Sequence, residues 1–440
     1  MSQNKIIFFS ETLTERLKYT AHLVFTEHLG LDIFFTTDET YFAKTTLPKI
    51  AYTGVSTSAI PAFFIKKTSN ILFEKHILNT AFETIFDQAD VLGKIFFLTT
   101  RYEEYSAEPS VFDRHNRFPA SASTSHKLNI LRQPVVNQWI IQIKNQLREI
   151  YTDLLFEHST FHFLPTYDVD QAWAIKNKGF LRNSGSLLSE ILRGQFGRVF
   201  NRFLILTTLK KDPEYTFDFL NDLDKKYNLK PIYFWLLADH ATFDKNINWQ
   251  NRAFQNLIRR LAKTHLVGLH PSYASNNDLD ILKKEKDRFE SITKHPHPSG
   301  RCKLSISRQH YLKLRFPDTY NRLIQVGIDA DYSMGYADDV GFRAGICTPF
   351  YWFDLARNQA TNLKIHPFAI MEITLKEYLK LSPEESLVLM KKMVAEVKNV
   401  GGTFTTLWHN STLSDNEEWG AWQQVYINFI EHVKQLSLNP

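Results

Sequence analysis

The sequence is short of cysteine, of clustered basic charge and of long apolar runs, and each shortage argues against a class of protein. Its 440 residues include two cysteines, Cys302 and Cys347, and no CxxC pair, so neither a disulfide framework nor a cysteine-based zinc site is expected. The net charge is +5, but no run of five basic residues occurs, so nucleic-acid binding is weakly supported. No stretch of about 18 apolar residues predicts a membrane span.

The N-terminus carries no pattern typical of export. Its apolar run, Ile6–Phe9, is far shorter than the core of a signal peptide, and no small-residue cleavage site follows it. We therefore expect a cytoplasmic protein.

Length and composition are those of a globular protein with more than one domain. At about 100–200 residues per domain, 440 residues predict two or three domains. Hydrophobic residues make up 43% of the chain, which is enough to bury at least one large core. The 35 phenylalanines can fill that core or line a ligand cleft, and the first use is the more common one.

Two differently patterned parts follow one another along the chain. Residues 5–100 alternate short apolar runs with helical stretches and predict a small α/β or α+β domain. The next segment begins with the charged stretch Arg101–Tyr105, which predicts a surface or interface element. A helix over Val135–Glu157 then bridges to the second part. We predict an N-terminal domain of unknown role over residues 1–157 and a second domain over residues 158–440.

The second part alternates strands with amphipathic helices from Phe161 onward. Ser382–Glu385 is a capping box with proline at the first helical position, and Gly401–Gly402 ends the helix that it starts. Such alternation predicts a parallel sheet or an irregular (β/α) barrel, so the expected fold class is α/β. In these folds, the side chains that carry chemistry follow the carboxyl ends of the strands.

Polar and titratable side chains follow five of the predicted strands. One such residue can be a satisfied core group, but five strand ends on one face need another explanation, because each buried charge requires a partner. We therefore predict a functional site at this face. The segments at the strand ends are Tyr167–Asp170, His270–Tyr273, Arg308–His310, Asp329–Tyr332 and Trp408–Asn410.

The order of these segments resembles the motifs of the polysaccharide deacetylase family, also called the NodB-homology family. The Thr-Phe-Asp-Asp motif of that family is similar to Thr166–Asp170, where one residue separates the two acids. Its His-(Ser/Thr)-x-x-His motif resembles His270–Ala274, and its Arg-x-Pro-Tyr motif resembles Arg308–Tyr311. The Leu-x-His motif is present as Leu407–His409. The resemblance covers roughly residues 161–440 and is to a divergent bacterial subgroup that carries an extra, uncharacterised N-terminal domain.

The resemblance implies a metal-dependent deacetylase that removes an acyl group from an N-acetylated sugar or a related amide, not from a peptide bond. Asp168 would be the general base, and Asp170 would bind a divalent metal ion, expected to be zinc. His270 would be a further metal ligand. His409 would be the general acid that protonates the leaving amine, and Arg308 would orient the base carboxylate and keep it ionised. In the cytoplasm, such an enzyme would act on a sugar precursor or another intracellular amide.

The second histidine ligand of the family is missing. It should stand at Ala274, and alanine cannot bind a metal. His310, where the family has proline, could supply the imidazole from the adjacent strand end. Two alternatives stay open, namely a site of two protein ligands completed by water or another carboxylate, and loss of the metal. With the metal lost, the chain would be a catalytically inactive carbohydrate-binding or scaffold protein.

The spacing of the two acids leaves their roles interchangeable. Residues two apart in an extended strand point to the same side, so Asp168 and Asp170 can both face the site. Either of them could then be the base.

Four further residues are candidates for substrate binding. Arg343 has small neighbours that would let an anionic group of a ligand approach. Its alternative role is structural, as the partner of Asp338 or Asp339. Glu372 follows an apolar run near another strand end. Tyr273 and Trp408, which are aromatic neighbours of the histidine motifs, complete the set.

Overall fold

The computed structural model describes residues 4–54, 61–77, 83–293 and 305–438. The strand that the sequence predicts before Arg308, over Lys303–Ser307, begins outside the described residues. The fold is mixed α/β with two sheets. The strands are β1 Lys5–Phe9, β2 Asp32–Thr36, β3 Lys49–Thr53, β4 Phe63–Lys66, β5 His162–Val169, β6 Ile232–Leu236, β7 Leu266–His270, β8 Ile306–Ser307, β9 Ala330–Asp331, β10 Phe350–Asp354, β11 Gln359–Ile365, β12 Ile370–Met371 and β13 Thr403–His409.

Helices connect most of these strands, and of the described helices none is both long and apolar enough to cross a membrane. Short 3₁₀ or π-helical turns occupy His22–His28, Pro109–Val111, Ala120–Ala122, His310–Leu312, Thr374–Tyr378 and Asn410–Leu413. The α-helices are α1 Glu15–Ala21, α2 Glu39–Lys44, α3 Glu83–Phe86, α4 Val91–Thr99, α5 Tyr102–Tyr105, α6 Thr124–Lys127, α7 Val135–Ile150, α8 Phe180–Leu192, α9 Phe196–Leu206, α10 Phe217–Tyr227, α11 Arg252–Leu261, α12 Leu279–Thr293, α13 Asp318–Gln325, α14 Pro383–Asn399 and α15 Gly420–Leu438.

The first sheet is parallel and has the strand order β2-β1-β3-β4. Parallel neighbours need crossover connections, and α1 and α2 lie in two of them. The central strand β1 is buried on both faces, with Ile6, Ile7 and Phe8 at most 1% exposed. Of the two alternatives predicted for this part, the structure shows α/β.

The second sheet has nine strands in the order β10-β11-β9-β8-β7-β6-β5-β13-β12 and curls into an open half-barrel. Only the pair β10 and β11 is antiparallel among its described neighbours. The prediction of alternating strands and helices is thereby confirmed at the level of a barrel-like α/β arrangement. All strand ends that carry the predicted polar segments lie in this sheet.

Helix α14 shows how local sequence sets an element. The hydroxyl of Ser382 accepts a hydrogen bond from the backbone of Glu385 (3.2 Å), and the Glu385 carboxylate accepts one from the backbone of Ser382 (2.8 Å). Beyond the last turn, Gly401 adopts φ 62°, a left-handed conformation that glycine adopts without strain. The helix then lays its apolar face on the sheet through Met390, Met393, Val394 and Val397.

The bridging helix is shorter than predicted. Helix α7 ends at Ile150 and does not continue to Glu157. Tyr151 leaves the helical conformation, and its hydroxyl both accepts a hydrogen bond from the backbone N–H of Lys49 and donates one to the carbonyl of Lys49 (2.9 Å each). This bond to the first sheet is a tertiary contact that the helical pattern does not reveal. The domain boundary at residue 157 stays a prediction.

A buried ionic network links the two parts of the chain. Arg101 donates hydrogen bonds to Glu103 (2.8 Å) and Glu104 (2.7 Å), and Arg343 donates two to Glu104 (2.9 and 2.6 Å). A further bond joins Arg101 to the carbonyl of Arg343. Burial would raise the pKa of Glu104, but the two arginines outweigh it and lower this pKa below its usual value. The Arg101–Tyr105 stretch therefore lies at a buried interface.

Removal of the central carboxylate should destabilise the whole protein. Glu104→Gln leaves two buried guanidinium groups without their shared counter-charge, so we expect the free energy of unfolding to fall by about 3–5 kcal/mol. Denaturant unfolding followed by tryptophan fluorescence measures this change.

The matched control is Glu15→Gln, which removes a carboxylate from an exposed ion pair with Lys18. Its effect on the free energy of unfolding should stay below about 1 kcal/mol. Equal effects of the two substitutions would contradict a structural role for the buried network.

Candidate active site

A cavity of about 660 Å³ opens where β5, β7 and β13 end. The parallel pairing of β5 with β13 sets Asp168 directly beside His409, and the pairing of β6 with β7 ends at His270. The ends of β5, β7 and β13 therefore bring their side chains to one place, as expected for a parallel sheet. The predicted segment Asp329–Tyr332 does not line the cavity, because Asp331 lies within β9 and accepts hydrogen bonds from Ser307 and Ser333. The titratable residues that line the cavity are Arg117, Asp168, Asp170, Glu214, Lys245, His270, His310, Tyr311, Tyr378, His409 and Glu418.

Three of these side chains form a candidate metal centre. Asp170, His270 and His310 offer ligand atoms that all lie within 4.8 Å of one another. In Asp170, Oδ1 lies 3.3 Å from Nε2 of His270, and Oδ2 lies 3.6 Å from Nε2 of His310. Ligand atoms held at about 2.0–2.2 Å from a tetrahedral zinc ion would be about 3.4 Å apart. The spacing therefore fits a small divalent ion.

Both imidazoles are oriented by partners behind them. Nδ1 of His270 donates to the carbonyl of Arg308 (2.5 Å), and Nδ1 of His310 donates to Oδ1 of Asp244 (2.8 Å). With Nδ1 protonated in each ring, Nε2 is left to bind an ion at the centre. Partners of this kind set the tautomer and raise the basicity of a ligating histidine.

The charges at the centre also favour a cation. Burial would raise the pKa of Asp170, but His310, His270 and His409 outweigh it and hold this pKa well below its usual value. Oδ1 of Asp170 is shielded from solvent and accepts no hydrogen bond from a described residue. A buried carboxylate oxygen without a donor needs a positive partner, and a metal ion would provide one. The residues present therefore fit a divalent ion.

His310 lies where it could supply the imidazole that the predicted motif lacks at Ala274. The side chain of Ala274 is exposed on the loop after β7, whereas His310 is buried beside Asp170. Burial would lower the pKa of His310, but Asp170 and Asp244 raise it to about 9, because the acids attract positive charge to this ring. The imidazole comes from the end of β8, the neighbour of β7.

Asp168 is held by a buried arginine. Nη1 of Arg308 donates to Oδ1 of Asp168 (2.9 Å) and to the hydroxyl of Thr166 (2.7 Å), and Nε donates to the carbonyl of Tyr332 (3.0 Å). The second oxygen of Asp168 lies 3.6 Å from Nε2 of His270. Asp168 thus has one oxygen fixed by the arginine and one turned toward the centre.

His409 is held by a buried glutamate. Oε1 of Glu372 accepts hydrogen bonds from Nδ1 of His409 (2.7 Å), from its backbone N–H (2.9 Å) and from the hydroxyl of Thr412 (2.8 Å). Nε2 of His409 lies 3.9 Å from Asp170. Burial would lower the pKa of His409, but Glu372 and then Asp170 outweigh it and raise it to about 10. This histidine therefore carries a proton at neutral pH.

The four residues predicted to bind substrate do not line the cavity. Arg343 is paired with Glu104, not with the adjacent acids, because the first part of the chain supplies a buried carboxylate. Trp408 is fully buried and packs against Tyr426. Successive side chains of a strand point to opposite faces, so Trp408 points away from the cavity that His409 lines. Glu372 accepts a hydrogen bond from Nδ1 of His409 and does not itself reach the cavity. Tyr273 is half-buried and lies in the aromatic cluster beside the cavity.

Two residues at the site, Asp244 and Arg117, were missed by sequence reasoning. Asp244, which orients His310, lies in the loop that follows β6, and the strand-end rule applied to β6 would have indicated this loop. Arg117 comes from the weakly periodic segment of the first part, which gives no signal. It donates to the carbonyl of Tyr311 (3.0 Å), the hydroxyl of Tyr378 (3.1 Å) and Asp113 (2.8 Å).

Comparisons with known proteins give a family match to part of the chain and a distant structural likeness. A family model described as "Family of unknown function (DUF7033)" matches residues 6–152. Five solved chains match in structure, and one is described as a "putative polysaccharide deacetylase" from Mycobacterium smegmatis. It has 12% sequence identity and a TM-score of 0.38, and the match covers 62% of this chain and 85% of that chain. A likeness this distant carries no argument about function. No curated protein matches the sequence.

The candidate centre predicts stoichiometric metal binding. We expect the protein, after removal of metal with a chelator, to take up one zinc ion per chain, and His310→Ala to weaken this binding by about a hundredfold or more, because only two protein ligands remain. Competition with a chromophoric chelator measures the affinity.

The control is His240→Ala, since His240 is an exposed histidine outside the cavity. Its zinc affinity should equal that of the unaltered protein. Unchanged zinc binding in His310→Ala would remove His310 from the ligand set and restore the two-ligand alternative.

Arg117 should influence the centre through the backbone that follows His310. Tyr311 and Leu312 have φ of 60° and 51°, a strained conformation for residues other than glycine. Because Arg117 holds the carbonyl of Tyr311, Arg117→Gln should weaken zinc binding by about tenfold. Arg132→Gln, from the same segment but with a surface ion pair to Asp339, should leave it unchanged. Identical zinc affinities in both variants would exclude this influence.

Proposed function

We propose that this chain is a metal-dependent hydrolase that removes an acyl group from an N-acetylated sugar or a related amide by metal-assisted attack of water. One observation carries the proposal. Beside the three candidate ligands, the same cavity holds a carboxylate anchored by a buried arginine and a protonated histidine anchored by a buried glutamate. Amide hydrolysis needs these three functions together.

A divalent ion bound by Asp170, His270 and His310 would supply the Lewis acid that polarises the amide carbonyl and lowers the pKa of water. The remaining chemistry belongs to side chains of the chain itself. The donor set of one carboxylate and two imidazoles is typical of catalytic zinc and leaves coordination positions open.

Asp168 is the proposed general base. Arg308 occupies one of its oxygens, so the other oxygen, which faces the centre, is available to take a proton from the attacking water. Asp168 lies inside β5 and Asp170 just beyond its end, so the two acids can take different roles, Asp168 as the base and Asp170 as a metal ligand. The arginine orients the carboxylate and does not itself need to contact substrate.

His409 is the proposed general acid. Its Nδ1–H is donated to Glu372, so the proton on Nε2 is the one that can pass to the leaving nitrogen. Expulsion of an amine requires this proton, because an amide anion is a very poor leaving group. Glu372 is a positioning residue that holds the ring and its positive charge.

The cavity supports a substrate of sugar size. Its volume of about 660 Å³ lies in the usual range for small-molecule sites, roughly 300–1,000 Å³. Aromatic rings of Phe243, Tyr311, Tyr378 and Trp419 line it together with polar groups. Flat rings can pack on the apolar faces of a sugar, and the polar groups can accept its hydroxyls.

The inactive carbohydrate-binding or scaffold role loses its main support. That alternative rested on Ala274 in place of a ligand, and His310 now offers the third ligand atom. We also propose that the half-barrel is of the deacetylase type and that residues 1–157 form a domain that completes its site through Arg117. A cytoplasmic location and a sugar-precursor substrate are parts of the same proposal.

Substitution of the proposed base or acid should slow hydrolysis strongly without loss of metal. We expect Asp168→Asn and His409→Gln each to lower kcat by about 10²–10⁴-fold, because each removes one proton transfer. Enzymatic detection of acetate, after incubation of the zinc-loaded protein with N-acetylated amino sugars and their oligomers, measures the rate. Zinc content should equal that of the unaltered protein.

Asp280→Asn and His240→Gln are the matched controls, since both side chains are exposed away from the cavity. They should keep full activity. If the zinc-loaded protein binds these sugars but releases no acetate from any of them, the inactive binding role is the better description.

A further inference from the structure

Helices α8 and α9 form a hairpin whose apolar side faces outward. Phe180 and Leu181 are 84% and 85% exposed, and eight more large apolar side chains of this region are at least 44% exposed. Scattered exposed apolar residues are ordinary, but a contiguous set of this size marks an interaction surface. The other members of this outer apolar face are Leu188, Ile191, Leu192, Phe196, Phe200, Phe203, Leu206 and Leu209.

Three polar side chains of the hairpin are instead turned toward the space between the two helices. Arg202 is buried between the helices, where it donates two hydrogen bonds to Glu190 (2.9 and 2.6 Å) and one to Asn183 (3.0 Å). A surface helix normally shows the reverse, with its charges in water and its apolar stripe on the core. An apolar medium that covers the outer face would remove these side chains from water and stabilise the inverted arrangement.

The hairpin is also strongly basic. From Lys176 to Lys211 the chain has eight lysines and arginines and one acid, Glu190, so this stretch carries +7 while the whole chain carries +5. Glu190 is already paired with Arg202. The exposed cations stand at the ends of the helices, namely Arg193 and Arg198 at the tip and Lys210 and Lys211 at the base. Such a surface complements a layer that is apolar inside and anionic outside.

The base of the hairpin is fastened to the rim of the cavity. Asp212 accepts hydrogen bonds from the backbone N–H groups of Ala174, Ile175 and Lys176 (2.7–2.9 Å) and so closes the two ends together. Arg182 donates to the carbonyls of Lys245 and Asn246. Ala174 and Lys245 both line the cavity. The outer apolar face therefore lies beside the cavity as part of a fixed structure.

We propose that this hairpin docks the protein on an anionic lipid membrane surface, with the outer apolar face inserted between the lipids and the basic ends on their headgroups. Helices of 13 and 11 residues are too short to span a bilayer, so they lie in the plane of the interface. The excess of positive charge favours anionic lipid over an ordinary protein partner. The proposal does not depend on the proposed hydrolysis.

Sedimentation with vesicles tests the proposal. The full chain should bind vesicles of equimolar phosphatidylcholine and phosphatidylglycerol and should bind pure phosphatidylcholine vesicles about tenfold more weakly or worse. Added salt should weaken binding to the anionic vesicles, because it screens the basic ends from the headgroups.

Three variants separate the contributions of the two features. Phe196→Ser/Phe200→Ser/Phe203→Ser should lower vesicle binding by about tenfold or more, because it removes the inserted rings. Arg193→Gln/Arg198→Gln/Lys210→Gln should remove the preference for anionic lipid. The matched control Phe34→Ser/Leu155→Ser/Val388→Ser alters three exposed apolar residues elsewhere and should bind like the unaltered protein.

Zinc affinity and thermal unfolding, measured on each variant, show whether it is folded, and exposed positions should change neither. Absence of binding to either vesicle overturns the proposal, as does equal binding by the phenylalanine variant and the unaltered protein. A stable dimer without lipid, which the phenylalanine variant converts to a monomer, would identify a second copy as the cover and would also overturn it.

Discussion

In the parallel register of β5 with β13, Asp168 lies opposite His409, and the rest of the site depends on this pairing. The backbone pairing alone places the position of the proposed base beside that of the proposed acid. Neighbouring strands then add His270 and His310, and Asp170 stands within 4 Å of three imidazoles. Asp168, His310 and His409 are each held by a second charged side chain, namely Arg308, Asp244 and Glu372. The candidate centre is therefore an electrostatic network as much as a ligand set.

The first part of the chain contributes to this network from outside the large sheet. Glu104 neutralises Arg343, which would otherwise be a buried charge without a partner, and Arg117 binds the carbonyl next to His310. These contacts join regions that lie more than 190 residues apart in sequence. The region that matches the family of unknown function, residues 6–152, thus reaches the cavity through Arg117. The two parts are therefore joined both by a buried ionic network and at the rim of the cavity.

The hairpin of α8 and α9 follows a different physical rule from the rest of the molecule. Elsewhere among the described residues, most large apolar side chains are buried, and the exposed ones, such as Phe34, Leu155 and Val388, are scattered along the chain. In the hairpin, Arg202 and Glu190 are paired between the helices, and four phenylalanines are exposed on the outside. Its attachment to Lys245 and Ala174 at the cavity rim would bring a bound membrane close to the site. Binding and chemistry would then share one face of the protein.

The sequence by itself determined the α/β class, the alternation of strands and helices, and the strand ends at which polar residues gather, because these follow from local periodicity, caps and the geometry of parallel strands. It also indicated that Ala274 breaks the family motif and that His310 could replace the lost ligand. Only the tertiary structure decided that Arg343 pairs with Glu104, that Trp408 belongs to the core and that Arg117 reaches the cavity. These outcomes depend on contacts between distant segments, whose pairing energies no local pattern records.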